Sequence, residues 1–173
     1  METSIKVVIP TAKNFEFSTL FAYTTHGIPG IDIVGMGKYT KAVKEKLIYL
    51  CRCRKIKLPL KRFVLCLEQS EDILRLDWDE LRWLEFPYFL LLLHLLELLP
   101  IHHLDGCLTA GTLNSDGVVS QFLFGHKILN SAQERNLSII HSMSLSYDRM
   151  ISLQNLLIHV PYIKIKSRES API

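Results

Sequence analysis

The sequence predicts an α/β fold, a mixed β-sheet with helices packed on it. Three observations carry that expectation. Short runs of β-branched and aromatic residues alternate with stretches of helical periodicity. Turn residues crowd between the early runs and again near mid-chain, where hairpins need them, whereas helix-length segments separate the later runs. The resulting order, β-β-β-α-β-(α)-α-β-β-α-β-α-β, mixes hairpins with crossovers and differs from a doubly wound nucleotide fold.

Residues 5–9 (Ile-Lys-Val-Val-Ile) read as a first strand, stopped by Pro10. Residues 15–25 alternate loosely and read as a second strand, expected beside a third at residues 31–34. Gly27, Pro29 and Gly30 make the turn between them. Gly35 and Gly37 then carry the backbone sharply into a helix over residues 38–55. Val43, Leu47, Leu50 and Cys51 share one face of that helix, and Lys38, Lys41, Lys44, Arg52 and Lys55 fall on the other. Residues 62–67 read as a buried strand. The acidic segment 69–85, with Trp78 and Trp83, reads as a short helix or an ordered loop. Pro87 suits the first turn of an apolar helix running to Leu98. Residues 108–113 and 118–122 flank Asn-Ser-Asp-Gly and read as a hairpin. A helix over 125–135, a strand over 137–141, a helix over 147–157 and a strand over 159–165 complete the chain. One domain is expected over residues 1–166, with a flexible tail at 167–173.

The chain has 173 residues, enough for a sizeable core, and its 49% hydrophobic content argues against disorder. The net charge of +3 does not by itself indicate a nucleic-acid partner. The charges are segregated, however. Residues 38–62 hold ten Lys and Arg against one acid, Glu45, and residues 68–85 hold seven Asp and Glu against Arg75 and Arg82. Either the two stretches face each other or one faces a partner. The apolar run 86–99 is too short to span a bilayer and is interrupted by His94 and Glu97. No membrane association is expected. Cys51, Cys53, Cys66 and Cys107 lack disulfide-framework spacing, and no secretory core follows Met1, so the expected compartment is the cytoplasm.

The chemistry-bearing motifs have simpler readings. Cys51-x-Cys53 on a helix points its thiols apart, so a metal site with His102 and His103 is not expected. His94 reads as a packing histidine, His102 and His103 as solvated, and His26 as a turn residue. No histidine has a nucleophile at a defensible spacing. Asn136-Leu137-Ser138 matches a glycosylation triplet, which has no meaning in a chain that is not secreted. The basic helix is the surface with a functional reading. Its cations would meet phosphates in a salt-dependent way, but only Tyr39 and Tyr49 interleave as stacking partners, so a solvated or protein-facing helix is preferred.

The run from Gly27 to Gly37, Gly-Ile-Pro-Gly-Ile-Asp-Ile-Val-Gly-Met-Gly, resembles the Gly-Leu-Pro-Gly-x-x-Φ-Val-Gly-Leu-Pro signature of ComM/YifB proteins, where Φ is apolar. Those are bacterial magnesium-chelatase-like AAA+ proteins linked to competence. Gly37 stands where the family has its last proline. The resemblance extends in degenerate form over residues 5–163. It implies a Lon-protease-like domain of the ribosomal-protein-S5 domain-2-like superfamily, without the AAA+ ATPase module that follows in the family. No Gly-x-x-x-x-Gly-Lys-Ser/Thr occurs, so ATP hydrolysis is not expected.

Lon's active-site run, Asp-Gly-Pro-Ser-Ala, matches Glu85-Phe86-Pro87-Tyr88-Phe89, so Tyr88 stands at the serine position. Gly125 stands at the position of Lon's lysine, with His126 and Lys127 adjacent. The family's Glu-Gly-Gly-Arg-Tyr-Asp segment is replaced by Leu81-Arg82-Trp83-Leu84-Glu85. The resemblance therefore implies a non-enzymatic accessory module with no cofactor. Its implied partner is a AAA+ protein or a second copy. A nucleic-acid-binding module related to competence or DNA processing, with DNA as the partner and Lys38, Lys41, Lys44, Arg52 and Lys55 as contacts, is the alternative, and an unrecognised hydrolase is a third reading.

Overall fold

The computed structural model describes residues 1–160 and 163–169. Seven strands form one mixed sheet: β1 (Glu2–Pro10), β2 (Phe15–Thr25), β3 (Gly30–Val34), β4 (Arg62–Leu67), β5 (Cys107–Thr109), β8 (Ser138–His141) and β9 (Met150–Ser152), in the order β3-β4-β2-β1-β5-β8-β9. A second sheet holds β6 (Thr112–Leu113), β7 (Val118–Phe122) and β10 (Lys164–Glu169), in the order β10-β7-β6. The helices are α1 (Thr40–Cys53), α2 (Glu71–Leu74), α3 (Trp78–Leu81), α4 (Glu85–Leu95), α5 (His126–Glu134) and α6 (Leu153–Leu156). The expected α/β architecture with a mixed sheet is present.

The long hairpin β1–β2 is antiparallel from Glu2↔Tyr23 to Pro10↔Phe15. Beyond it the sheet departs from expectation. β3 does not pair with β2, because β4 lies between them, antiparallel to β2 and parallel to β3. A parallel pair needs a crossover, and α1 supplies it between β3 and β4. The apolar face of α1 (Val43, Leu47, Leu50, Cys51) packs with Ile31 and Ile33 of β3. Gly35 ends β3 at φ +100, where a Cβ would lie 2.8 Å from the Leu67 carbonyl oxygen. That close approach explains a glycine there.

Every residue of α4, from Glu85 to Leu95, is buried. A helix that is apolar all round needs cover on all sides. Here α4 lies against β1, β2 and β4 on one side and β6 of the second sheet on another. It starts after a 3-10 turn at Arg82–Leu84 with Pro87 in its first turn, as expected, but ends at Leu95 rather than Leu98.

The expected strand 108–113 is broken at Ala110 and Gly111 into β5 and β6, which belong to different sheets. Gly111 N–H donates to the Trp83 carbonyl at 2.8 Å, and the Gly111 carbonyl accepts from Phe86 N–H at 3.1 Å. Its backbone satisfies the start of α4 instead of continuing the ladder. A Cβ there would come within 3.1 Å of the Phe86 ring and of the Ser120 carbonyl oxygen.

The expected helix over 147–157 is instead strand β9 followed by the single-turn α6. Parallel pairing of Ile139 with Met150 and Ile140 with Ile151 overrides helical periodicity. The Ser152 hydroxyl then accepts from Asn155 N–H at 3.4 Å to start α6. The last strand is shifted too. His159 and Val160 lie outside any strand, residues 161 and 162 lie outside the described residues, and β10 runs parallel to β7 from Lys164 to Glu169. It therefore extends past the Lys166 boundary expected for the tail, and residues 170–173 lie outside the described residues.

Candidate functional site

The basic helix is only partly free. Lys38, Lys41, Arg52 and Lys55 are exposed. Lys44 is drawn toward β3, its Nζ 3.5 Å from Asp32 Oδ1, while Arg62 Nε lies 2.6 Å from Asp32 Oδ2. The Arg62 guanidinium, ahead of Lys44, holds the Asp32 carboxyl below its usual range. Lys46 turns inward to Glu85. Lys38 Nζ sits 5.1 Å from the Tyr39 ring centroid, and Tyr39 packs on Trp78 with centroids 5.1 Å apart. Two of the five expected contact residues thus have partners within the fold, Lys44 at Asp32 and Lys38 over the Tyr39 ring.

The Lon-type positions do not converge. Tyr88 is fully buried, its hydroxyl has no hydrogen-bond partner, and burial pushes its pKa far up. It belongs to the larger apolar core, around α1 and α4, whereas α5 packs through Ile128 and Ala132 into a second core around Trp83 and Phe122. Gly125 caps α5, and His126 and Lys127 are exposed. Among the described residues no three His, Cys, Asp or Glu side chains approach closely enough to hold a metal ion. Cys51 is buried and Cys53 exposed on opposite sides of α1. His26, His102 and His103 are exposed.

A polar cluster unseen in the sequence lies between the sheets. Gln121 Nε2 donates to Thr109 Oγ1 at 3.1 Å and to the carbonyls of Ala110 at 2.9 Å and Ile140 at 3.3 Å. Its Oε1 accepts from Ser142 N–H at 2.8 Å. His141 Nε2 donates to the Phe122 carbonyl at 2.8 Å and Nδ1 accepts from Met143 N–H at 3.0 Å, which fixes the tautomer. Burial holds the His141 imidazole below its usual range. The side-chain polar atoms of Gln121 and His141 are all engaged, so the cluster tethers one sheet to the other and presents no free group to a substrate.

The feature best placed to meet another molecule is the face of β3, β4, β2 and β1 opposite α1 and α4. Leu20 and Ala22 point toward α4, so Phe21 and Tyr23 point away from it. Register aligns Val34, Cys66, Phe21 and Ser4 in one row and Asp32, Val64, Tyr23 and Glu2 in the next. Val34 is 52% exposed, and Phe21 and Tyr23 are each 40% exposed. Val64 and Cys66 are buried beneath these neighbours, yet neither apolar core includes any of the five. Polar groups rim the patch: Asp32 with Arg62 and Lys44 at the β3 edge, and Lys6 Nζ donating to Thr19 Oγ1 at 2.7 Å at one end. The signal was present in the sequence, since the alternation Leu-Phe-Ala-Tyr over residues 20–23 is apolar on both faces.

No known protein family matches the chain, and no curated protein matches it. The structure defines the class as a mixed α/β protein with helices packed on a seven-stranded sheet. Among the described residues no helix is long and apolar enough to cross a membrane.

Proposed function

We propose that this protein is a non-catalytic interaction domain that docks a protein partner on the open sheet face around Val34, Phe21 and Tyr23. The observation that carries the reading is that face: an apolar centre over β3, β4 and β2, rimmed by charge, whose five apolar residues belong to neither core among the described residues. The scaffold is read as Lon-protease-like, of the ComM/YifB kind. The glycine-bounded strand β3 and the aligned run Glu85–Phe89 support that reading. Tyr88 in the serine position is sealed in the core, which supports loss of the peptidase chemistry. The partner class that follows is a AAA+ module or a second copy of the chain.

Sedimentation velocity tests this with the isolated AAA+ module of a ComM-type protein and with the chain alone across a concentration series. The expected result is association with the module or self-association, lost in Phe21→Ser/Val34→Ser while the thermal unfolding midpoint is kept. Absence of both associations removes the proposal. Retention of duplex DNA that is lost in Lys41→Glu/Arg52→Glu but kept in Phe21→Ser/Val34→Ser would replace it with a nucleic-acid reading. Cleavage of casein by the pure protein would show that the domain is catalytic.

A further inference from the structure

Two loops meet beyond the N-terminal ends of β3 and β4. Residues 26–29 lead into β3 and residues 54–61 into β4, and the two strands are parallel, so both loops emerge at the same end of the sheet. Gly30 N–H donates to the Lys61 carbonyl at 3.1 Å and fastens one loop to the other. Gly30 and Val34 are the opposite ends of β3, so the surface formed here is separate from the Val34 end of the open sheet face.

Ile28 and Leu60, one on each loop, are each 88% exposed, the most of any large apolar side chain among the described residues. The backbone holds them out. Lys61 N–H donates to the Pro59 carbonyl at 2.7 Å, which makes a three-residue turn with Leu60 at its apex. Before that turn Ile56 is buried and Leu58 packs on the larger core, so the loop is anchored. Ile28 stands between Gly27, at φ +141, and Pro29, whose ring fixes its own φ. Loop tips ordinarily carry Asn, Asp, Gly or Ser. One exposed aliphatic residue needs no explanation, but two on loops bonded to each other form a patch that favours cover.

The charges on the two loops are all positive. Residues 25–31 and 54–61 contain Arg54, Lys55, Lys57 and Lys61 and no acid. Arg54 is turned to the Asp116 carbonyl. Lys55, Lys57 and Lys61 are exposed and, among the described residues, make no ion pair. Asp32, the acid that follows in β3, is already held by Arg62 and Lys44. A nucleic acid would take the lysines but leave both aliphatic side chains in water, and neither loop has a Phe, Tyr or Trp to stack on a base. Protein interfaces favour aromatic anchors seated in pockets, which is the character of the open sheet face. A bilayer surface suits this corner on both counts, because aliphatic tips reach the acyl boundary while lysines stay among the headgroups. Among the described residues no helix is long and apolar enough to cross a bilayer, and attachment from one side needs none.

We infer that the Ile28–Leu60 corner attaches the protein peripherally to a membrane surface containing anionic phospholipid. The two aliphatic side chains insert, and Lys55, Lys57 and Lys61 meet the headgroup phosphates.

Flotation of the full chain with large unilamellar vesicles tests this, with phosphatidylcholine alone and phosphatidylcholine mixed with phosphatidylglycerol. Saturable binding to the mixed vesicles is expected, weakened by added salt, with little binding to phosphatidylcholine alone. Lys57→Gln/Lys61→Gln is expected to weaken binding about 25-fold, at about fivefold for each lost charge. Ile28→Ser/Leu60→Ser is expected to weaken it about tenfold. All four side chains are exposed, so the unfolding midpoint should be kept in both variants. Phe21→Ser/Val34→Ser should bind vesicles as wild type does, which separates this surface from the open sheet face. The inference is overturned if the mixed vesicles are not bound at millimolar lipid, if Ile28→Ser/Leu60→Ser binds them as well as wild type, or if Lys57 and Lys61 retain duplex DNA while vesicles are not bound.

Discussion

Lys46 Nζ lies 2.8 Å from Glu85 Oε2, and among the described residues this is the one ion pair joining the basic stretch 38–62 to the acidic stretch 68–85. The same carboxylate oxygen accepts from Leu113 N–H at 3.3 Å, so it links α1, the start of α4 and β6. Glu85 is 4% exposed. Desolvation raises its pKa against the opposing pull of Lys46.

Removing the cation should expose that cost. Lys46→Met is expected to destabilise the protein by about 3 kcal/mol, because it leaves a carboxylate buried without its charge partner. Lys46→Met/Glu85→Gln should recover most of the loss, since the amide oxygen still accepts from Leu113 N–H. The sign with pH follows from the raised pKa. A carboxyl raised in the folded state gives stability that is full below its ordinary 4.5 and fades as pH rises through the folded value. The single variant should therefore lose more stability, relative to wild type, at pH 7 than at pH 5. Urea titrations at both values measure this, and a double variant no better than the single one would contradict it.

His94 and His141 give a pH dependence of the opposite sense. Burial lowers both below the ordinary 6.5, so the unfolded chain takes up protons before the folded one does. Stability should fall as pH drops below 6.5, by up to about 1.4 kcal/mol per pH unit for each group. Unfolding free energies measured at pH 7.5, 6.5 and 5.5 should be level over the first interval and decline over the second. A His141→Gln variant should show a shallower decline.

Three helices stop in the same way without a glycine. Lys55 after α1, Glu97 after α4 and Asn136 after α5 have φ of 56, 58 and 56. Behind each, the next residue bonds back to the helix: Ile56 N–H to Cys51, Leu98 N–H to Leu93, and Leu137 N–H to Ala132, at 2.8, 3.0 and 2.9 Å. This is the Schellman arrangement, which favours glycine at the left-handed residue. Lys55→Gly and Glu97→Gly should each stabilise the protein by about 1 kcal/mol. Asn136→Gly should give less, because asparagine tolerates that conformation. Thermal denaturation of the three variants measures the ranking.

The same helix ends show where reading the sequence reaches its limit. The stop of α4 was hidden because Glu97 carries no turn signal, so the apolar run seemed to continue to Leu98. The apolar face of α1 was legible, since four residues at helical spacing can only bury one side. The length of β2 was legible from its composition, but its neighbour was not. Nothing local to residues 26–34 says that a strand thirty residues later will enter between β2 and β3.

What the sequence determined by itself was the local inventory: most of the strands and helices, the fully apolar centre that α4 occupies, and the glycines at which the backbone turns. Those follow from periodicity and from φ/ψ preferences within a few residues. What only the tertiary structure decided was partnership. Whether Lys44 faces solvent or Asp32, whether Phe21 is core or surface, and whether His94 finds a donor all depend on chain segments far away in sequence. Burial and hydrogen bonding act through space, and only the assembled sheet fixes which distant groups meet.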